Sequence, residues 1–495
     1  MSSLSSKVAV VVRARLLTTV VDTATGLSLV WLLPKSEFAV LGLLLFIYEL
    51  LKQLALLGFP ESILYYFEKL EPRFRRAVAF QTVRTLLATA TLAALIMLGL
   101  TALGPLWLGQ WEPPTRALVQ RYLPLFAGLA LLEIPTWPLT QILLALDRQR
   151  HAGLYQVSTS VMTLTALLGP LLLGMGIDAS VHALLGYGAL RFVGSLVWGL
   201  SVLPKQGEPL PKGSALEQAR FAAPLGIGAL VGRLNKYLDK LVVSTMLPAA
   251  ALADYTVATY EIPFVTAFPY GVGAVMITRY VALSRDGELQ ELVHLWHTAV
   301  RKVSLLVVPV AIAFIVLAPD LIPLAFGEEY LGSVVPFQIF CGILLMRVAH
   351  YGGMLQAFGN TRGFLSITLL MLATNLVLSV PMTLWLGVRG TALATLLANV
   401  ASLRLTLWLI GSHLKLSPLQ VIPLRDYARV LTLACGAGAA AWAARTLLLP
   451  DDAPRLHAVL LVAILQPALY LAAGALTGVI KREDFHSLRL LLRPL

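Results

Sequence analysis

Apolar runs recur from one end of the chain to the other, and they constrain the fold more than any other feature. A helix needs about 20 mostly apolar residues to cross the hydrocarbon core of a bilayer. None of the runs alternates with the period of two that a transmembrane β-strand requires, so each predicts a helix. The 495-residue sequence contains fourteen such runs, at 9–33, 38–67, 78–103, 122–145, 153–173, 181–203, 221–246, 255–278, 303–317, 335–357, 364–385, 391–411, 430–444 and 457–480.

The composition agrees with a chain that lies mostly in lipid. Hydrophobic residues make up 58% of the sequence and charged residues 13%, and the mean hydropathy is +0.80. Soluble domains carry about 25% charged residues. The first run contains Arg13, Arg15 and Asp22 and lacks a signal-peptide cleavage pattern, so we expect it to remain as the first helix. The sequence therefore predicts an all-α polytopic membrane protein with about 14 transmembrane helices.

Lysine and arginine are distributed unequally between the two sides of the predicted membrane. If the N-terminus is cytoplasmic, 22 of the 38 lie in connections on that side, six lie on the other side and ten lie within the spans. Cytoplasmic loops of membrane proteins carry such an excess, so we predict that both termini are cytoplasmic. The net charge of +12 then faces anionic lipid headgroups, and no nucleic-acid partner is needed to explain it.

A polar segment at 204–220 divides six predicted spans from eight. The first span on each side has an arginine followed six or seven residues later by an aspartate, Arg15 and Asp22 before the segment and Arg233 and Asp239 after it. A pattern that recurs in both halves favours two parallel repeats related by an axis along the membrane normal. We predict an N-terminal lobe at 1–203 with spans 1–6, a cytoplasmic linker at 204–220, a C-terminal lobe at 221–411 with spans 7–12, and a cytoplasmic connector, two further spans and a cytoplasmic tail at 412–495.

Four charged residues interrupt the apolar run at 221–246, namely Arg233, Lys236, Asp239 and Lys240. An Arg, Lys or Asp in the middle of a spanning helix costs about 2.5–3.5 kcal/mol on an insertion scale. Arg233, Lys236 and Lys240 recur at i, i+3 and i+7, so they share one helix face. That face must meet protein or water, and we predict that it lines a cavity.

Other charged residues within the spans extend this pattern, and the basic ones outnumber the acidic ones by ten to six. A surplus of buried cations favours a guest with several negative charges, such as a diphosphate, which arginine binds bidentately and lysine binds as a point charge. The predicted diphosphate-binding residues are Arg233, Lys236, Lys240, Arg15, Lys52, Arg84, Arg191 and Arg347, and the candidate ion-coupling residues are Asp22, Glu49, Asp239 and Glu261. Ion pairs that fix helix register are the alternative role for both sets, and Glu49 is placed to pair with Lys52 at i+3.

Short motifs with a recognisable order and spacing are spread over about 350 residues. They are Leu33-Pro34-Lys35-Ser36-Glu37-Phe38, Leu57-Gly58-Phe59, Phe221-Ala222-Ala223-Pro224-Leu225, Asp239-Lys240-Leu241, Phe326-Gly327-Glu328-Glu329-Tyr330, Ala357-Phe358-Gly359-Asn360, Asn375 and Gly387-Val388-Arg389-Gly390-Thr391-Ala392. These motifs resemble those of the polysaccharide and lipid-linked oligosaccharide flippases, of the O-antigen flippase type, within the multidrug/oligosaccharidyl-lipid/polysaccharide exporter (MOP) superfamily. Ala39 departs from the family pattern, which has glycine there.

The resemblance implies two six-helix lobes arranged in a V around a central cavity, with two C-terminal helices outside them. It implies a flippase that moves an undecaprenyl-diphosphate-linked oligosaccharide from the cytoplasmic to the periplasmic leaflet of the bacterial inner membrane by alternating access. This substrate is the repeat unit of a polysaccharide or O-antigen. The expected partners are membrane lipids, a polysaccharide polymerase and other assembly proteins, and a monomer is the simplest oligomeric state.

No catalytic motif accompanies the spans. The sequence lacks a glycine-rich phosphate loop with its lysine, a nucleophile–histidine–carboxylate set and a zinc-ligand cluster, so we expect no enzyme activity, no metal and no cofactor. Three alternatives to the polysaccharide flippase remain. One is a peptidoglycan lipid-precursor flippase. Another is a cation-coupled multidrug antiporter, whose mostly cationic substrates the surplus positive charge would repel. The third is a non-transporting scaffold, which has no reason to carry costly charges within its spans.

Overall fold

A computed structural model describes residues 4–260, 276, 277, 279–450 and 453–481, without the side chains of residues 4–12, 15, 16 and 361. All regular structure in this part of the chain is helical. Nine described helical stretches are long and apolar enough to cross a membrane, and Leu17–Leu32, part of a longer helix, is a further apolar stretch. The predicted fold class, an all-α polytopic membrane protein, is confirmed. The chain divides into two compact units, Met1–Ala253 and Asp254–Leu495.

The first unit contains ten helices that lie wholly within it among the described residues. They are α1 (Leu4–Leu32), α2 (Lys35–Leu56), α3 (Phe59–Lys69), α4 (Arg75–Ala102), α5 (Gly104–Trp107), α6 (Pro113–Glu133), α7 (Pro138–Ala145), α8 (Gln149–Leu172), α9 (Gly176–Val202) and α10 (Ser214–Met246). The next helix, α11 (Ala249–Ala258), crosses the boundary between the units.

The second unit continues with α12 (Leu289–Phe326), α13 (Val334–Leu344), α14 (Tyr351–Ala357), α15 (Thr361–Leu386), α16 (Val388–Leu414), α17 (Leu424–Leu448) and α18 (Arg455–Leu476). Each of the fourteen predicted runs overlaps described helix. Most of the run at 255–278, however, lies outside the described residues. The run at 303–317 is the middle of α12, which has 38 residues.

Three of the predicted spans are interrupted, each at a different kind of break. The run at 38–67 divides into α2 and α3 because Leu57 and Gly58 both adopt left-handed backbone conformations, with φ of 42° and 75°. Glycine adopts this conformation without steric cost, whereas leucine does not. The run at 122–145 divides into α6 and α7 around two prolines. The run at 335–357 divides into α13 and α14, and the residues between them are not helical.

Helix α10 packs within the first compact unit, although the sequence placed it at the start of the C-terminal lobe. It crosses the α2–α3 break so closely that a Cβ added to Gly226 would overlap the backbone of Leu57. A Cβ added to Gly58 would lie 2.6 Å from the carbonyl oxygen of Ala222. Only glycine permits this approach of two backbones. The boundary between the units therefore falls after α10, and the assignment of α10 to a second repeat stays a prediction.

The two C-terminal helices of the second unit, α17 and α18, pack on α12. Pro309 lies inside α12 and has no amide hydrogen, so the carbonyl of Leu305 loses its helical donor. The hydroxyl of Tyr470 on α18 donates to that carbonyl at 3.1 Å. Gln466, one turn earlier on α18, donates to the carbonyl of Pro309 itself at 3.1 Å. Through Tyr470, α18 thus supplies a hydrogen bond that α12 cannot make internally, as backbone in lipid requires.

The two other prolines of α12 follow the same rule. Pro319 deprives the carbonyl of Ile315 of its helical donor, and the Gln338 side chain on α13 donates to that carbonyl at 2.9 Å. Pro323 removes the helical donor of the Pro319 carbonyl, and Arg455 at the start of α18 donates to that carbonyl at 3.1 Å. Each of the three prolines in α12 is thus matched by a donor side chain from another helix.

Two ion pairs connect the C-terminal end of α12 and the turn after it to the two C-terminal helices, α17 and α18. Arg445 on α17 donates to both carboxylate oxygens of Asp320, at 2.9 and 3.0 Å. Arg455 donates to both oxygens of Glu328 at 2.8 Å. The Asp320 side chain is 9% exposed, so its pair with Arg445 is largely removed from solvent. Such bidentate pairs fix geometry as well as contributing energy.

Candidate functional site

The charged stretch that interrupts the seventh apolar run lies on one unbroken helix, α10. Lys236 is exposed and Arg233 and Lys240 are half-buried, whereas Asp239 is 5% exposed. The helical spacing that the sequence predicted for the three basic residues is confirmed. None of them makes an ion pair with a residue that the structure describes. We refer to Arg233, Lys236 and Lys240 as the cation stripe.

Contacts toward both ends of α10 hold the cation stripe in place. At the N-terminal end, the buried Gln218 side chain donates to the hydroxyl oxygens of Ser62 at 2.9 Å and Thr82 at 2.7 Å. At the other end, the indole nitrogen of Trp111 donates to the carbonyl of Ser244 at 2.9 Å. Buried polar side chains with satisfied hydrogen bonds specify one arrangement of the helices that carry them. The stripe lies between these two anchors on a helix whose position is fixed.

A second group of predicted residues lies on α2. Lys52 forms an ion pair with Glu49, which confirms the pairing predicted from their i+3 spacing. The Lys52 ammonium also lies 4.8 Å from the ring centroid of Trp137 and 5.0 Å from that of Tyr48. Aromatic faces attract a desolvated cation, so these rings stabilise a charged lysine in a largely buried position.

The α2 pair lies near charged and polar groups of two other helices in the first unit. Tyr237 on α10, one residue from Lys236 in the chain, interacts electrostatically with both Glu49 and Lys52. Asp22 on α1 interacts electrostatically with the same two residues. The fold therefore brings two predicted ion-coupling residues, Asp22 and Glu49, together with Lys52 and the middle of α10.

Arg191 on α9 lies in a separate buried network. Its guanidinium contacts the Glu133 carboxylate at 2.6 Å, and each side chain is 9% exposed. Tyr48 donates to the other oxygen of Glu133 at 2.5 Å, and Arg191 donates to the hydroxyls of Tyr187 at 2.9 Å and Tyr155 at 3.3 Å. This arrangement satisfies both charges internally. Binding of substrate by Arg191 stays a prediction.

Glu133 is the one charged member of this network that our set of candidate site residues lacked. It lies 58 residues before Arg191, on a different helix, so no spacing within one helix connects the two. Its only signal in the sequence is a carboxylate inside an apolar run, which marks a residue with a buried partner but does not identify that partner.

The remaining candidates occupy different environments. Arg84 is an exposed residue of α4 and makes no ion pair or hydrogen bond with a described residue. Arg347 is an exposed residue of the non-helical segment between α13 and α14. The Arg15 side chain and Glu261 lie outside the described residues.

The break that carries Arg347 is stabilised by tyrosine hydroxyls. Tyr427 on α17 donates to the carbonyl of Leu345 at 2.8 Å, and Tyr351 donates to that of Met346 at 3.2 Å. Interrupted helices within membrane spans recur in transporters at substrate and ion sites, because the unwound backbone offers polar groups at membrane depth. Binding of an anion by Arg347 stays a prediction.

Comparison with solved structures identifies the fold. A structure of the lipid II flippase MurJ in an inward closed conformation is 14% identical, covers 94% of this chain and 99% of that chain, and has a TM-score of 0.72. An inward-facing multidrug resistance MATE family transporter of the MOP superfamily is 17% identical, covers 81% of this chain and 96% of that chain, and has a TM-score of 0.64. The fold is that of MOP superfamily transporters.

Comparison of sequences adds matches to parts of the chain. A family model described as polysaccharide biosynthesis protein matches residues 146–335. A probable low-salt glycan biosynthesis flippase, Agl15 of Haloferax volcanii, is 22% identical over 234 residues, which are 46% of this chain and 49% of that protein. The chain thus spans about half the length of this curated relative. The predicted resemblance to the polysaccharide flippases of the MOP superfamily is confirmed.

Proposed function

We propose that this multi-pass membrane protein is a flippase for an undecaprenyl-diphosphate-linked oligosaccharide, the repeat unit of a polysaccharide or O-antigen. It moves this lipid from the cytoplasmic to the periplasmic leaflet of the bacterial inner membrane by alternating access. The observation that carries the proposal is the cation stripe on α10, whose three basic side chains make no ion pair with a described residue. The polysaccharide branch of the superfamily supports the glycan part of the substrate.

The energetics of the stripe favour a diphosphate as its guest. Three cations in the middle of a span cost about 8–10 kcal/mol together on an insertion scale. Water in a cavity or a bound anion must offset this cost, because no carboxylate among the described residues forms an ion pair with the stripe. A diphosphate carries several negative charges and many acceptor oxygens within the reach of one helix face. Arg233 offers it a bidentate fork, and Lys236 and Lys240 offer point charges.

The acidic residues near the stripe suggest how transport is coupled to an ion. Glu49 is held by Lys52, and Asp22 lies beside the same pair. In the proposed cycle the substrate phosphates compete with Glu49 for Lys52. Glu49 is then released to take a proton or a cation, which neutralises it while the substrate crosses. Asp239 and Glu261 remain further candidates for this role. The chain performs no covalent chemistry in this scheme and acts as a transporter rather than an enzyme.

Sidedness follows from the distribution of basic residues, which supports cytoplasmic N- and C-termini. Cysteines introduced at positions 148 and 210 should react with a membrane-impermeant reagent only from the cytoplasmic side, and those at 113 and 329 only from outside. Reaction at 148 and 113 from the same side would overturn this topology. A polysaccharide polymerase and other assembly proteins are the proposed partners on the product side.

The experiment changes the stripe one residue at a time. Arg233→Gln, Lys236→Gln and Lys240→Gln keep hydrogen-bonding capacity and remove charge. Each should lower glycan export by roughly 10–100-fold at normal membrane levels, because a hydrogen bond to a charged group contributes about 1.5–3 kcal/mol. Glutamate at the same positions should be worse. Arg404→Gln, which removes an exposed basic residue from α16 of the second unit, is the matched control and should export normally.

Export is measured as surface glycan in cells that lack their own flippase, with protein abundance measured in the same membranes. Full export by all three glutamine variants at normal abundance would refute the phosphate-binding role. Loss of abundance, rescued when Asp239 is also neutralised, would instead show that the stripe is structural. Mass spectrometry of lipid that co-purifies with the protein then separates a polysaccharide repeat unit from a peptidoglycan precursor, since both share the diphosphate carrier.

The multidrug antiporter makes the opposite prediction for charge. Its mostly cationic substrates would be repelled by the cation stripe, so neutralising the stripe should increase drug efflux rather than lower glycan export. Efflux of a cationic dye from the same cells tests this alternative directly.

A further inference from the structure

A groove of about 290 Å³ runs along the surface of the first unit between α4 and α9. Phe80 and Leu87 on α4 form one wall, and Gly199 and Leu200 on α9 form the other. The break between α6 and α7 forms the floor, where prolines interrupt the helix and keep it from filling the space between the walls. We refer to this feature as the lateral groove.

The lateral groove is apolar, and its walls are helices of spanning length. Both α4 and α9 lie in stretches apolar and long enough to cross the membrane, and the most apolar window of each is only 28% buried. Phe80 is 45% exposed, Leu200 is 41% exposed and Leu87 is 39% exposed. A concave apolar surface on a spanning helix meets lipid chains rather than water. The groove therefore has the shape and the surroundings to hold a hydrocarbon chain.

One cation lies on the α4 wall. Arg84 is exposed at the groove, four residues after Phe80 and three before Leu87, so all three share one face of α4. No carboxylate lines the groove, and Arg84 makes no ion pair or hydrogen bond with a described residue. An arginine at membrane depth without a protein partner calls for an anion from the lipid phase.

The position of Arg84 along α4 selects the leaflet. It lies nine residues after the start of the helix at Arg75, which is about 14 Å along the axis. An arginine side chain extends toward the nearer headgroups when its helix position is below them. The nearer leaflet is the one at the N-terminal end of α4, which is the cytoplasmic leaflet in the predicted topology.

We propose that the lateral groove binds one anionic phospholipid of that leaflet, with an acyl chain between α4 and α9 and its phosphate on Arg84. A single arginine matches the single charge of a phosphodiester, whereas a diphosphate would call for several cations, as on α10. This lipid is therefore a bound partner distinct from the transported one, and the inference rests on the proposed function only for the side of the membrane.

Two glycines of α9 provide a matched pair of variants. A Cβ at Gly199 would meet only Leu139, at 3.9 Å on the groove floor, so Gly199→Phe should fill the groove without a backbone clash. Gly194 lies on the opposite face of the same helix, is exposed and has no atom within 4 Å of an added Cβ. Gly194→Phe therefore adds the same side chain at a lipid-facing position outside the groove.

The test measures lipid retained by the purified protein with native mass spectrometry. Delipidated protein is titrated with phosphatidylglycerol, which has one net negative charge, and with phosphatidylethanolamine, whose ammonium offsets its phosphate. We expect one tightly bound phosphatidylglycerol in the wild type and in Gly194→Phe, and loss of that lipid in Gly199→Phe. Arg84→Gln should weaken it roughly tenfold or more and remove the preference over phosphatidylethanolamine. A single monodisperse peak in size-exclusion chromatography confirms that each variant is folded.

Several results would overturn the proposal. Equal retention by the two phenylalanine variants would mean that the lipid lies elsewhere, and an unchanged headgroup preference in Arg84→Gln would remove the role of the arginine. Should Gly199→Phe fail to fold, Arg84→Gln at its exposed position still decides the outcome. Displacement of phosphatidylglycerol by polyprenyl diphosphate at lower concentration would assign the groove to the transported substrate instead.

Discussion

The hydrogen bond between Tyr470 and the carbonyl of Leu305 predicts a stability change that depends on a proline in another helix. Tyr470→Phe removes the hydroxyl and keeps the ring, so the carbonyl that Pro309 deprives of its helical donor loses its substitute donor as well. In Pro309→Ala the alanine amide restores the helical donor. Tyr470→Phe should therefore destabilise the natural sequence and have little effect in the Pro309→Ala background.

The magnitude follows from burial and from the reference state in lipid. Tyr470 is 3% exposed, so water cannot replace its hydroxyl. A buried acceptor left without a donor costs about 1–3 kcal/mol, whereas interhelical hydrogen bonds in membrane proteins average about 0.6 kcal/mol and reach about 1.7. Most acceptors in spanning helices also receive a hydrogen bond from a backbone amide, but the Leu305 carbonyl does not. We therefore expect Tyr470→Phe to lower the free energy of unfolding by about 1–2 kcal/mol. The loss should fall below about 0.5 kcal/mol when alanine replaces Pro309.

The assay is reversible unfolding in mixed micelles, with the free energy of unfolding measured for all four members of the double-mutant cycle. Tyr427→Phe is the matched control, because its hydroxyl donates to the carbonyl of Leu345, which no proline affects. Its effect should be the same in both backgrounds. An equal loss for Tyr470→Phe in both backgrounds, or no loss in the natural sequence, would refute the account.

Three further predictions concern contacts that fix the helices. Glu133→Gln should lower the free energy of unfolding by about 3–5 kcal/mol because it leaves a buried arginine without its counter-charge, and adding Arg191→Met should recover part of the loss in the same unfolding assay. Gly226→Ala should lower the yield of folded protein, since its Cβ overlaps the backbone at the α2–α3 break, whereas Gly228→Ala meets open space and should express normally. Asp320→Asn should lower thermal stability by the equivalent of about 1–3 kcal/mol, because it removes the bidentate acceptor of the arginine on α17.

The spanning helices could be predicted from the sequence because length and apolarity are local properties. The run at 430–444 is the middle of α17. Its ends were placed too far inward because charged residues such as Arg429 continue the helix beyond the apolar part. The hydrophobic criterion identifies the part of a helix that lies in lipid, and the helix itself extends into the interface where charge is no longer costly.

The interruptions within spans could not be predicted in the same way. Leu57 and Gly58 were recognised as a motif, but nothing within ten residues of them requires a left-handed turn. The turn exists where α10 approaches, and Gly226 is the residue that permits the contact. A break fixed by a helix so distant in sequence is a tertiary property, and local patterns do not contain it.

The same limit divides the charged residues. The pair of Glu49 and Lys52 was predictable because both lie on one helix at a spacing that brings side chains together. The pair of Glu133 and Arg191 was not, because its members lie on helices whose packing the sequence does not specify. The prolines of α12 are a similar case. The sequence shows that Pro309 removes a helical hydrogen bond. It does not show that Tyr470 supplies the replacement donor.

This division separates charges that build the fold from charges that face a ligand. Insertion into a bilayer is costly for both kinds, so hydrophobic context alone does not distinguish Arg191 from Arg233. An ion pair with a described residue distinguishes Arg191 from Arg233. Arg191 has a buried carboxylate at 2.6 Å, so its charge is satisfied before any ligand arrives. Arg233, Lys236 and Arg84 lack an ion pair with a described residue, so water or an anion from outside this part of the chain is left to stabilise each of them. For α10 that anion is the proposed substrate, and for α4 it is the proposed lipid.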